Sequence, residues 1–239
     1  MQQTARPSKE QVDSYIRERL VLDLADVDCL LTAMVLEVPG ALLESYRGSV
    51  LHTVEFTFAD KRSHMQPSAV LRSMRQTGLG SVRRLTNYMG LKVGPAGDEL
   101  RHFEPQAGDV VQSDVLPDFL LTKEALKTMS WKVRNPDLDD PNEVNVYSAI
   151  LHLNVHANVR MAHPGLPHSE HMDANWTKYF LGSSFLLSAV VYYTFKKRGL
   201  PTPPNVLDWS KTILPPDLFE EYHLWLSAEI PSMIAERMQ

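Results

Sequence analysis

The stretch that most constrains the fold runs from Trp176 to Arg198, WTKYFLGSSFLLSAVVYYTFKKR. Between Lys178 and Lys196 lie 17 residues with no charge, no proline and one glycine. Phe180, Leu181, Phe185, Leu186, Leu187, Ala189, Val190, Val191 and Tyr192 are spread around the helical wheel. A helix here must therefore be buried on most of its sides. Lys196-Lys197-Arg198, then Gly199 and Pro201, supply basic residues for the last turn, a glycine stop and a proline beyond it. A bilayer span normally needs ~20 strongly apolar residues. Three serines, a threonine and three tyrosines dilute this run. It is expected to be a central core helix, with no membrane span.

The rest of the chain reads as helices separated by breakers. Ser8 to Gln11 has the form of a capping box, and Val12, Tyr15, Ile16 and Leu20 follow at helical spacing. Helices are expected near 9–22, 26–37, 68–77, 81–90, 122–132, 143–161, 174–198 and 217–230. Gly78 and Gly80 separate the third from the fourth, and Pro39-Gly40 ends the second. Residues 51–58, LHTVEFTF, alternate apolar and polar side chains and are the best strand candidate, a minor β element at most. The expected fold class is mainly α, a multi-helix bundle forming one domain over 1–239. Lobes 1–135 and 143–239 would meet at the turn-rich connector 135–142, NPDLDDPN, around a basic cleft.

A single cysteine, Cys29, excludes an internal disulfide framework and a cysteine-based zinc finger. It falls in a leucine-rich helical pattern, so a buried inert thiol is expected. The opening MQQTARPSKEQ has no basic-then-apolar leader, which sets the expected location as the cytoplasm or a virion.

The net charge of −5 conceals an uneven layout. Residues 61–97 carry seven basic groups and no carboxylate, in a chain with 29 acidic residues. The flanks are acidic: 1–60 hold 5 basic and 10 acidic groups, and 98–143 hold 5 and 11. Positive potential is thus concentrated in one segment. Its members are Lys61, Arg62, Arg72, Arg75, Arg83, Arg84 and Lys92, with His64 and Tyr88 between them. Guanidinium groups make forked bonds to phosphate and stay charged at any relevant pH. Gly78 and Gly80 would let backbone N–H groups approach the same anions. The competing reading is a solvated face paired with its acidic neighbours. No RRM, KH, zinc-finger or helix-turn-helix signature accompanies the block.

Five of the nine histidines fall between 152 and 171. His152 and His156 are four apart, at metal-ligand spacing on one helix face, and His168, Glu170, His171 and Asp173 follow. The sequence lacks the glutamate of an H-E-x-x-H site, and no nucleophile elbow, P-loop or dinucleotide fingerprint occurs. Helix-surface or core histidines are the simpler reading.

These features favour binding over catalysis. The leading expectation is a non-enzymatic, coat- or nucleocapsid-like protein. It would hold a nucleic-acid backbone, RNA in preference, through the seven basic residues and assemble with copies of itself through its terminal helices. No cofactor is expected. Two alternatives stay open: a metal-dependent, hydrolase-like helical enzyme using His152, His156, His168 and His171, and a helical interaction or scaffold protein.

Overall fold

The computed structural model describes residues 6–36, 54–58, 61–65, 67–117, 121–133, 142–162 and 169–203. Backbone alone is described at 35–36, 54–58, 61–65, 67–69, 131–133, 142–143, 160–162 and 169–177. The fold is mainly helical, as expected. The segment after Pro39, nearly all of the connector 135–142 and the helix expected at 217–230 lie outside the described residues.

Ser8 caps the first helix as its motif requires. Its Oγ accepts from the Gln11 amide at 3.2 Å, while the Gln11 side-chain oxygen accepts from the Ser8 amide at 2.7 Å. Helix α1 (Lys9–Ser14) passes into a π-helical turn, Tyr15–Leu20, and then into α2 (Val21–Leu36) without a break. A break was expected between 22 and 26. The helix continues because Leu20, Leu24, Val27, Leu30 and Leu31 form one uninterrupted buried series.

Helix α3 (Pro67–Tyr88) replaces the two helices expected at 68–77 and 81–90. It runs straight through Gly78 and Gly80. Gly78 is where α2 crosses: a Cβ there would stand 2.6 Å from the Asp26 carbonyl oxygen and would also collide with the Leu30 Cβ. The glycine permits close approach of two helices rather than ending one. After α3, Gly90 takes the left-handed conformation (φ 83°), and its carbonyl accepts from the Phe103 amide at 2.8 Å.

Among the described residues three antiparallel strand pairs accompany the helices. The first, β1 (Val54–Phe58) with β2 (Lys61–Met65), runs from Val54 opposite Met65 to Phe58 opposite Lys61. The expected lone strand thus finds its partner in the opening of the basic block. The second is β3 (Leu91–Val93) with β4 (Leu100–His102). Helix α4 (Gln112–Val115) follows. Helix α5 (Lys123–Lys127) is capped by Thr122, whose Oγ1 accepts from the Ala125 amide at 3.1 Å. It stops short of the expected 132 because β5 (Ser130–Val133) pairs with β6 (Asn142–Asn145). A tryptophan and a valine in sequence suit a strand once a partner strand exists. Asn145 then caps α6 (Val146–Ala162), accepting from the Ser148 amide at 3.1 Å.

Helix α7 (Ser169–Val190) is the expected central helix, and every residue from Tyr179 to Leu187 is buried. It packs on α6 at Gly182, where a Cβ would lie 3.0 Å from the Ala149 carbonyl oxygen. Helix α3 packs on both α6 and α7, and α2 on α7. Phe180 and Phe185 join Leu20, Leu24, Leu85 and Leu153 in one core. Each such side chain stabilises by roughly 1.5–3 kcal/mol through burial. A second π-helical turn, Val191–Phe195, and a 3-10 turn, Lys196–Arg198, lead to left-handed Gly199. The Gly199 amide donates to the Lys196 carbonyl (3.1 Å) and the Leu200 amide to the Phe195 carbonyl (2.9 Å), the paired bonds of a Schellman ending. Among the described residues no helix is long and apolar enough to cross a membrane.

Candidate functional site: the outer face of helix α3

Helical periodicity sorts the arginines of α3. Arg72 and Arg83 are 11 residues apart, three turns of helix, and so share one face about 16 Å apart along the axis. Both are exposed, with Gln76 exposed between them, and neither forms an ion pair among the described residues. Arg75 is half-buried at the edge of this face. Lys92, on β3, is half-buried and sits opposite Arg101 in the hairpin. Arg101 is itself committed to Glu99, Nε to Oε1 at 2.6 Å, which holds that exposed carboxyl below its ordinary range. Lys61 and Arg62 lie on β2, with side chains outside the described residues.

Arg84 lies apart from this outer ridge. Its Nε donates to the Asp23 carboxylate at 2.7 Å and its Nη2 to the Ser81 hydroxyl at 2.6 Å, with Asp26 at 3.7 Å. The Ser81 hydroxyl in turn donates to Asp26 at 2.6 Å. Asp23 is only 1% exposed, and Arg19 approaches it at 3.7 Å from its own helix. Arg84 thus follows the pairing reading of the basic block. Its partners come from α2, about sixty positions away in sequence, where counting nearby charges could not find them. Gly78, packed against α2, likewise gives no loop amide to an anion.

The histidines divide. His156 is buried and stacks on Tyr179, ring centroids 4.8 Å apart, in the α6–α7 interface. His152, one turn earlier, is exposed, and partial desolvation followed by the Lys178 charge lowers its pKa. His171 lies on α7 with its side chain outside the described residues, as are His163 and His168 altogether. Among the described residues no group of three or more histidine, cysteine or acidic side chains could hold a metal ion. Cys29 is exposed rather than buried, and desolvation then Asp28 and Asp26 raise its thiol pKa.

Two features carried no sequence signal. One is a buried polar chain beside the two π-helical turns. The Tyr88 hydroxyl bonds Thr194 Oγ1 at 2.9 Å, and the Gln112 side-chain oxygen accepts from Thr194 at 3.0 Å. Tyr15, from the other π-turn, stacks on Tyr88 at 5.9 Å. Burial, with Asp23 adding to it, pushes the Tyr15 hydroxyl up to about 12. The second feature is a cavity of about 100 Å³ at the base of the β3–β4 hairpin. Its lining includes Met89, Phe103, Pro105, Val111 and Leu121 together with Gln112. Gln112 is 1% exposed, and its amide nitrogen has no hydrogen-bond partner.

No protein-family model matches the chain, and neither a curated protein nor a solved structure does.

Proposed function

We propose that this chain is a non-enzymatic protein that holds a nucleic-acid backbone, RNA in preference, along the outer face of α3 and assembles with copies of itself in the manner of a coat or nucleocapsid protein. The observation that carries this reading is the pair Arg72 and Arg83, exposed on one helix face within a segment that has no carboxylate from 61 to 97. Two guanidinium groups about 16 Å apart along the axis, with Gln76 between them, suit contacts to phosphates roughly two or three nucleotides apart, which position a strand without reading its sequence. Arg75 and Lys92, both half-buried, and Lys61 and Arg62 on β2 belong to the same basic segment, whereas Arg84 serves the α2–α3 contact. Backbone binding of this kind is governed by counterion release.

The test is fluorescence anisotropy with single-stranded RNA of mixed sequence over a salt series. Wild type binds with a steep salt dependence. In Arg72→Ala/Arg83→Ala the slope of log K against log salt falls by about 1.4, two phosphate contacts at ~0.7 each. The loss is equal for unrelated sequences. An unchanged slope in the double variant, or no binding by wild type at low salt, overturns the reading.

A further inference from the structure

Gly80 is a glycine for which the packing of the helix gives no reason. Glycine weakens a helix interior relative to alanine, and it is of use there where something must come close to the backbone. At Gly78 that neighbour is α2. At Gly80 a Cβ would meet, among the described residues, only the flexible end of Arg84 at 3.6 Å, and the residue has no positive φ to require glycine.

The position is on the open side of α3. At about 100° per residue, Gln76, Gly80 and Asn87 fall within about 40° of one another, on the side away from buried Val82 and Leu85. Arg72 and Arg83 run along one edge of this strip and Ser73 and Thr77 along the other, and all four are exposed. With no side chain at Gly80, the strip dips to bare backbone about 12 Å from Arg72 and about 4.5 Å from Arg83 along the axis, one turn beyond Gln76.

Charge selects the occupant of this dip. A second copy of α3 laid there would set Arg72 and Arg83 of one chain against those of the other, with no carboxylate between 61 and 97 to relieve them. A polyanion is complementary. The one aromatic of α3, Tyr88, is buried, so the helix offers no ring on which a base could stack. A strand therefore turns its sugar–phosphate edge to α3, with phosphates on the arginines and a sugar against the neutral Gln76 amide.

We propose that Gly80 lets the sugar edge of a single-stranded RNA come down onto α3, and that the Gln76 side chain bonds a ribose 2′-hydroxyl there, so that this face selects RNA over DNA. A 2′-hydroxyl both donates and accepts, a glutamine amide does the same, and deoxyribose lacks the group. Gln76 lies about 6 Å from Arg72 and about 10.5 Å from Arg83 along the axis, within the span between the two bound phosphates. The contact reads the sugar and not the base. This inference rests on the phosphate contacts of Arg72 and Arg83 in the proposed function.

The experiment is fluorescence anisotropy of the full chain with a mixed-sequence single-stranded RNA and its DNA counterpart, uracil replacing thymine, over a salt series. Wild type is expected to bind the RNA about fivefold more tightly, the worth of one neutral hydrogen bond. Gln76→Ala brings RNA affinity down to that of DNA, leaves DNA affinity unchanged and keeps the wild-type salt slope, because no phosphate contact is lost. Gly80→Leu places a side chain where the strand would lie. It is expected to melt no lower than wild type and to bind RNA on the order of tenfold more weakly. Wild type that binds neither strand at low salt overturns the proposed function and this inference with it. Equal wild-type affinity for RNA and DNA, a Gln76→Ala variant that keeps the preference or loses affinity for both strands alike, or Gly80→Leu with wild-type RNA affinity overturns this inference alone.

Discussion

Gly78 and Gly80 sit two residues apart in one helix, and alanine at these positions should move stability in opposite directions. Alanine gains about 1 kcal/mol of helix propensity over glycine at either. At Gly80 nothing opposes that gain, because the nearest atom to a new Cβ is the flexible end of Arg84 at 3.6 Å. Gly80→Ala is therefore expected to stabilise by about 0.5–1 kcal/mol. At Gly78 a Cβ would lie 2.6 Å from the Asp26 carbonyl oxygen, a backbone atom that cannot swing aside. Helices α2 and α3 must separate, and a gap of about 0.5–1 Å forfeits a quarter to a half of each dispersion contact along the seam. Overpacking of this kind costs roughly 1–3 kcal/mol. Rigid neighbours place Gly78 at the upper end, so the net loss is about 2 kcal/mol after the propensity gain. For a chain of this size that lowers the melting temperature by about 4–8 °C. Urea midpoints of the two variants, compared with wild type at equal slope, give the answer. Equal signs, or Gly78→Ala as stable as Gly80→Ala, would refute the helix-crossing account.

Two further outcomes follow from the buried polar groups. Replacing Arg84 by methionine leaves the buried Asp23 carboxylate with only Arg19, at 3.7 Å, as a charge partner, and because the Arg84 side chain is 38% exposed the expected loss is roughly 1–3 kcal/mol rather than the larger cost of a fully buried pair. Adding Asp23→Leu should recover part of it, as a double-mutant cycle in urea would show; additive losses would contradict the pairing. The Tyr15 hydroxyl, lifted from 10.0 to about 12, keeps its proton in the folded state where the unfolded chain loses it. Stability is therefore full below pH 10 and falls as pH rises towards 12, with Tyr88 and Tyr193, also raised by burial, acting in the same direction. Tyr15→Phe should make that decline shallower in pH-dependent urea melts, and an unchanged profile would rule out a protonated Tyr15 as its source.

What was legible in the sequence was whatever depends on near neighbours. The Ser8 capping box, the all-round apolar run of α7 and its basic, glycine-stopped end each rest on residues within a few positions. What was not legible depends on distant partners. Gly78 looks like a breaker until Leu30 and Asp26 are seen against it. Ser130–Val133 looks like a helix tail until Asn142–Asn145 lies alongside. Arg84 resembles its neighbour Arg83 in the chain, yet one residue turns the helix by 100° and takes Arg84 to Asp23 while Arg83 stays outside. The cavity drew its lining from β4, α4 and the loops around them, so no local pattern marked it.

The two π-helical turns, Tyr15–Leu20 and Val191–Phe195, bear on how the length of this chain can vary. A turn closed by i→i+5 bonds holds one residue more than the i→i+4 turn that could replace it. Deleting one codon within either turn lets the helix relax to ordinary winding with the apolar faces on both sides kept in register. One codon removed elsewhere in these helices rotates everything beyond it by about 100° and turns a buried series towards water. Chains descended from a common ancestor with this one should therefore differ by single-residue gaps at these two places and nowhere else along α2 or α7.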